Sequence, residues 1–324
     1  MDVYENLFMD VTSIFDWKDI KIEPIVNNTR FYHIFGLNFE SPIPFLDMPE
    51  SDGTPDIKIK YGTVPDEIID AKIKGVRYQA GPGEFILKVD NVAKYYVAKG
   101  SDIIIERNPK AADYEIILFL MGSAMGALLH QRNILPLHGS SIDIGGKGVI
   151  FVGPSSIGKS TIAAGFQKKG YPLLADDVCA VTALNGSIPQ IIPGFPWLKL
   201  WADTLERLEE DKKRLKRVRF DHDFEKYFFP FHNTNKQLVP VKSIFSLETT
   251  NTDEFKITPI KGGKKVNPII DNTYRSGFLE GLGGKKEHFK QCAAVAGKAS
   301  IFNVIRPKIG FQLDELMALV EEHF

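Results

Sequence analysis

Cysteine is scarce in this chain: among 324 residues only Cys179 and Cys292 occur, far apart and without paired spacing. That excludes a disulfide framework or a cysteine metal site as the organising device, and a reducing cytoplasm is the expected setting. Charge of one sign is lacking too. With 40 Lys and Arg against 41 Asp and Glu, the formal net charge is −1, so the overall balance draws the chain neither to nucleic acid nor to an acidic membrane. No long apolar run is present. The longest, 116–129, contains Gly122, Ser123 and Gly126; it is too short to cross a bilayer and reads as a buried helix. The opening residues, Met1-Asp2-Val3-Tyr4-Glu5-Asn6, are acidic and have none of the basic, apolar and small-residue parts of a secretory leader, so export is not expected. Internal repeats and low-complexity tracts are absent as well.

What is present falls into two parts. From Phe31 to about Glu106, segments such as Asp56–Tyr61, Glu84–Val89 and Lys94–Ala98 alternate apolar and polar residues or are rich in β-formers, with Pro and Gly turns between them. Period two marks half-buried strands. The stretch Asn108–Asp113 is polar and carries Pro109, and from Tyr114 to His130 apolar residues recur at helical spacing. These patterns predict a smaller N-terminal β-rich domain over 1–112 and an α/β domain over 113–324. In the second, strands are expected at 171–180, 241–248, 254–258 and 300–305, and helices at 161–169, 201–208 and 312–323.

The most specific feature lies between Gly148–Val152, which reads as a buried strand, and the helix starting near Thr161. Gly153-Pro154-Ser155-Ser156-Ile157-Gly158-Lys159-Ser160 fits G-x-x-x-x-G-K-[ST] and is followed by Thr161. A helix N-terminus offers unpaired N–H groups and a positive dipole end, and the preceding strand aims them at one point. Residues Gly153 to Thr161 are therefore expected to cradle nucleotide phosphates, with Lys159 reaching the terminal ones and Ser160 holding Mg²⁺. The plainer alternative is a glycine turn joining a strand to a helix.

Two further sets of residues point to the same place. Gly145-Gly146 is a two-residue hairpin signal between 140–144 and 147–152. Pairing Ile144 with Lys147 sets His138 opposite Gly153, beside a transferring phosphate; a histidine that merely packs at the hairpin end is the alternative. Asp176 and Asp177 end the run Leu173-Leu174-Ala175. They reach the phosphate-loop edge if the strands run parallel. One carboxylate could orient Mg²⁺ while the other, taken as Asp177, accepts the proton of an attacking hydroxyl. Because neighbouring strand residues point to opposite faces, only one is expected to face the terminal phosphate. A solvated Asp-Asp turn is the alternative.

Leu137-His138-Gly139, the hairpin, the glycine loop and Leu173-Leu174-Ala175-Asp176-Asp177 together resemble the catalytic domain of HPr kinase/phosphorylase and its relatives, most strongly from about Arg132 to Val181. Pro193–Trp201 is more similar to HPr-kinase-like proteins found with peptide-modifying or cell-surface biosynthesis systems. The resemblance implies a P-loop kinase domain of the HPr kinase/PEP carboxykinase-like type with a mixed sheet, using ATP and Mg²⁺ and acting on a serine of a protein or peptide. It assigns ATP binding to Gly153–Ser160, Mg²⁺ binding to Ser160, proton acceptance to Asp177 and support of that aspartate to His138. HPr kinases carry a glutamate-arginine-glycine signature that supplies a second metal ligand, and this chain reads Ile191-Ile192-Pro193-Gly194 there. Either an aspartate of the pair, here assigned as Asp176, completes the metal site, or ATP, Ser160 and water hold the ion. A peptide or a small-molecule hydroxyl then becomes as good an acceptor as HPr.

Other readings stay open. A P-loop ATPase or GTPase switch would use water as acceptor, although no guanine-specific N-K-x-D element occurs. A nucleotide-binding regulatory module without catalysis is a third reading. Arg275 is a candidate phosphate clamp or an ordinary surface arginine. The basic run Asp211–Arg219 reads first as a solvated face, and Tyr227–Phe231 as core. His222, His232 and His288 lack metal-ligand spacing. Homo-oligomerisation is left open by the sequence.

Overall fold

In the computed structural model, which describes residues 29–45, 48–183, 186–218, 225–231, 237–310 and 312–324, the alternating segments become strands Ile57–Tyr61, Glu84–Val89 and Ala93–Ala98. Alternation becomes burial: Ile57 and Ile59 are enclosed while Lys58 and Lys60 face water. Among the described residues this sheet has eight strands between Arg30 and Arg107, in the chain order 1-2-3-8-7-6-5-4.

Its inner face, with Phe39, Phe85, Tyr95, Ile103 and Ile105, packs on the helical segment 113–131. That segment was expected as one regular helix. It consists of α-turns Asp113–Phe119 and Met125–Gln131 around a π-helical turn, Leu120–Ala124. Tyr95 donates its hydroxyl to the Ile116 carbonyl at 2.9 Å, so the buried phenol is satisfied. The core runs on into the second part through Val178, Ala180, Ile192 and Phe195. Phe35 meets Phe195 edge-on at 5.0 Å, so one apolar interior joins the N-terminal sheet to the rest.

The second sheet is mixed and, with its helices, gives the α/β fold. Among the described residues it has nine strands. Gly148–Val152 lies antiparallel to Gly139–Asp143 and parallel to Val239–Thr250, beyond which Ser300–Pro307 continues in parallel. Leu173–Ala175 lies antiparallel on the far side of Gly139–Asp143. Two antiparallel steps make it parallel to Gly148–Val152, so both strands end at the same edge. The hairpin turns at Gly145 and Gly146 with φ of 59° and 80°, values that glycine adopts freely. Ile144 and Lys147 exchange backbone bonds of 2.9 and 3.2 Å, which fixes Gly139 opposite Val152. Phe151, Phe166 and Phe245 stack beneath this strand at 5.7 and 5.8 Å and clamp the helix Lys159–Lys168 to the sheet.

Residues 171–180 are not one strand. They form Leu173–Ala175 and Cys179–Thr182, separated by a turn in which Val178 N–H donates to the Asp176 carbonyl at 2.7 Å and Asp177 takes φ 65°. The helix expected from Trp201 runs Ala202–Arg207, because Trp201 ends the strand Trp197–Trp201. This strand pairs with Lys226–Pro230, and Lys226–Pro230 with Lys216–Arg217, in a small antiparallel sheet. No helix of the described residues is long and apolar enough to cross a membrane.

Candidate active site

The glycine loop leaves Val152 through Gly153 at φ 144°, where an added Cβ would lie 2.8 Å from the Leu247 carbonyl oxygen. Only glycine fits that approach. Gly158, at φ 104°, is the N-cap of the helix Lys159–Lys168. Ile157 sinks its side chain into the core and anchors the loop from below. Lys159 folds back so that its ammonium donates to the Gly153 and Pro154 carbonyls at 2.9 and 2.8 Å. Burial pushes its pKa down to about 8 against the pull of Asp176 and Asp177. Ser155, Ser156, Gly158, Lys159, Ser160 and Thr161 line one wall of a cavity of about 550 Å³.

The opposite wall brings in both aspartates. Asp176 is 4% exposed. Its Oδ1 accepts from Ser140 Oγ at 2.5 Å and from Ser160 Oγ at 2.8 Å, and its Oδ2 accepts from the Lys199 backbone N–H at 2.8 Å. The left-handed Asp177 breaks the strand alternation, so the two carboxylates do not point to opposite faces and both line the cavity. Lys199 Nζ lies 2.7 Å from Asp177 Oδ2. His138 Nδ1 lies 3.2 Å from the Asp177 carbonyl and 3.4 Å from Oδ1. Burial alone would raise the Asp177 carboxyl, but the Lys199 charge and the His138 hydrogen bond outweigh it and hold the group well below the usual carboxylate range. The same pairing, with Tyr274 adding to it, raises Lys199 against the effect of its burial.

His138 is itself held from behind. Its backbone N–H donates to the Asn272 carbonyl at 2.7 Å, and its ring lies 6.0 Å from that of Tyr274. Tyr274 sits against Gly122 and Gly126, where added Cβ atoms would come within 3.3 and 3.1 Å of it. The two glycines that interrupt the apolar run therefore make room for the wall beside His138.

Among the described residues no group of three or more His, Cys, Asp or Glu could hold a metal ion. A hydroxyl and a carboxylate oxygen 2.8 Å apart, Ser160 and Asp176, nonetheless form a hard oxygen pair at the phosphate loop. Mg²⁺ commonly binds one or two protein oxygens and fills its other positions with water and phosphate oxygens, so this donor set fits it.

His138, Ser155, Ser156, Gly158 to Thr161, Asp176 and Asp177 all line the one cavity; Gly153 and Pro154 supply the carbonyls that hold Lys159. Ile191 and Ile192 form part of a buried strand and bring no carboxylate. Arg275 does not line the cavity; its guanidinium lies 5.4 Å from the Tyr274 ring centroid. Instead Arg306 lines it and donates to the Ile157 carbonyl at 2.7 Å. In the basic run, Lys212, Arg214 and Arg217 pair with Glu206, Asp211 and Glu225. Tyr227 and Phe231 are core residues, and His288 is buried against Thr273 and Cys292. Arg219, His222 and His232 lie outside the described residues. Sequence reasoning missed Ser140, Lys199, Lys226 and Arg306. For Lys199 a signal existed: in Trp197–Trp201 the leucines alternate into the core, which turns Lys199 to the other face.

Residues 131–193 match the family model described as the HPr Serine kinase C-terminal domain. The HPr kinase/phosphorylase of Caldanaerobacter subterraneus subsp. tengcongensis is 39% identical over 66 residues, covering 19% of this chain and 22% of the relative. That of Limosilactobacillus reuteri is 43% identical over 61 residues, covering 17% and 19%. The chain thus spans about a fifth of the length of these curated relatives. The Hpr(Ser) kinase/phosphatase from Coxiella burnetii superposes with a TM-score of 0.28 at 14% identity, covering 58% of this chain and 95% of that one, a likeness too loose to argue from. The matched segment contains His138, the whole glycine loop and both aspartates. The likeness to the HPr Serine kinase C-terminal domain is thus carried by that one segment, which holds the candidate site residues.

Proposed function

We propose that the protein is a kinase of the HPr kinase type that transfers the γ-phosphoryl group of ATP to a hydroxyl, first of all a serine of a protein or peptide, and alternatively a small-molecule hydroxyl. The observation that carries this reading is a single cavity lined by the glycine loop, Lys159, both aspartates and His138. Loop N–H groups and the Lys159 ammonium would neutralise charge on the transferring group, the main demand of a loose phosphoryl-transfer transition state. Lys159 gives up its bonds to Gly153 and Pro154 to do so. Ser160 and Asp176 would hold Mg²⁺, which when bound neutralises phosphate charge and orients its oxygens.

Asp177 orients the acceptor hydroxyl and takes its proton. A carboxylate held this acidic is a weak base, so it serves by position first and receives the proton late. His138 and Lys199 fix its two oxygens. Residues 1–112 are read as a domain for substrate recognition or assembly beside the kinase domain 113–324.

The test is incubation with Mg²⁺ and γ-labelled ATP on an array of serine-containing peptides. Label should appear as phosphoserine and disappear with Asp177→Ala while ATP binding persists. Label released only to water would favour an ATPase, and no turnover a regulatory module.

A further inference from the structure

We infer that Lys226 is a second phosphate-binding cation of the cavity, placed to engage the terminal phosphate of a bound nucleoside triphosphate. The inference rests on the nucleotide reading above and adds to it a residue outside the glycine loop, contributed by the small sheet.

Lys226 opens the strand Lys226–Pro230 and pairs across to Trp201. Its ammonium lies 5.4 Å from the Trp201 ring centroid, a seat that holds the long side chain in one place. It lines the cavity and is half-buried. Among the described residues no carboxylate lies within ion-pair distance of it, whereas Lys199 is committed to Asp177 and three cations of the neighbouring basic run have acidic partners. Burial lowers the Lys226 pKa, and Asp176 and Asp177 pull it back up. A half-buried ammonium with no counter-ion among the described residues is poorly solvated, and a polyanion entering the cavity relieves that.

The position selects which phosphate. Lys226 pairs across from Trp201, two residues beyond Lys199, whose N–H and ammonium hold Asp176 and Asp177, so it stands on the aspartate side of the cavity. Phe255, Leu313 and Leu316 also line the cavity and offer apolar surface to a nucleoside. A triphosphate laid along the glycine loop therefore brings its terminal group, and not its α-phosphate, to Lys226. Ile191 and Ile192 bring no charge to the site, whereas Lys226 would bring a positive one on a fixed side chain.

The experiment compares ATP and ADP affinities in the presence of Mg²⁺ by titration calorimetry for the full chain, Lys226→Met and Lys226→Arg. Loss of a charge-assisted bond to the terminal phosphate should weaken ATP about tenfold or more in the methionine variant, with ADP within about twofold. Arginine should restore most of the ATP preference. Equal weakening of both nucleotides, or no weakening of ATP, overturns the inference; ADP binding itself reports that the variant is folded. Wild-type protein that binds neither nucleotide removes the nucleotide reading and this inference together. Protein that shows the Lys226-dependent ATP preference but phosphorylates nothing sinks the kinase reading alone.

Discussion

Replacing Lys199 with methionine removes the ammonium 2.7 Å from Asp177 Oδ2 while leaving the backbone N–H that donates to Asp176. Both partners are largely withdrawn from water, with side chains 18% and 27% exposed. At an effective dielectric near 20 the pair is worth roughly 6 kcal/mol of gross Coulomb energy, most of it offset by desolvation. Removing one partner of a buried pair typically costs about 3–5 kcal/mol. The remaining exposure screens the charge, so about 2–3 kcal/mol is expected here. The cost should depend on pH. Burial raises the Asp177 carboxyl, and the Lys199 charge more than reverses this, so its folded-state pKa is depressed. A depressed pKa contributes stability that is present above the unfolded value of about 3.9 and is lost as pH falls through the folded value. The gap between wild type and Lys199→Met in urea unfolding should therefore be full at pH 7 and shrink steadily below about pH 4. Adding Asp177→Asn to the variant should recover part of the loss, because no charge is then stranded. A gap under about 0.5 kcal/mol at pH 7, or one undiminished at pH 3, would refute the reasoning.

The depressed pKa of Lys159, about 8, should make the proposed ATP binding sensitive to alkali. The ammonium is lost as pH rises through that value, so titrations at pH 7, 8 and 9 should show affinity falling by up to about tenfold per unit, and Lys159→Ala should flatten the profile. Gly153→Ala forces a Cβ to 2.8 Å from the Leu247 carbonyl at φ 144°. It should cost about 1–3 kcal/mol in thermal unfolding and weaken ATP binding, and an alanine variant of unchanged stability would contradict the geometry.

The strands were legible because alternation is burial: Ile57, Lys58, Ile59 and Lys60 take their faces in the order the sequence spells. The hairpin register was legible because Gly145-Gly146 leaves few ways to turn. What stayed hidden depends on distant partners. Asp177 adopts a left-handed backbone that a non-glycine residue enters at a cost of about 1–2 kcal/mol, and Lys199 and His138, 22 and 39 residues away, hold it there. A run reading as one strand thereby becomes two. The π-helical turn at Leu120–Ala124 was hidden for a similar reason, since helical spacing does not reveal a wide turn. Arg306 and Arg275 look alike in sequence; only the pairing of Ser300–Pro307 beside Val239–Thr250 brings Arg306 to the glycine loop.

The central claim is that Lys159, Asp177 and His138 surround one terminal phosphoryl group. A crystal structure of the protein with Mg²⁺ and the non-hydrolysable analogue AMP-PNP tests it most directly. The account expects the γ-phosphate at Lys159, with Asp177 and His138 facing it from the acceptor side and the Gly153 and Pro154 carbonyls released by the lysine. A γ-phosphate bound away from Asp177, or a nucleotide seated outside the glycine loop, would contradict it.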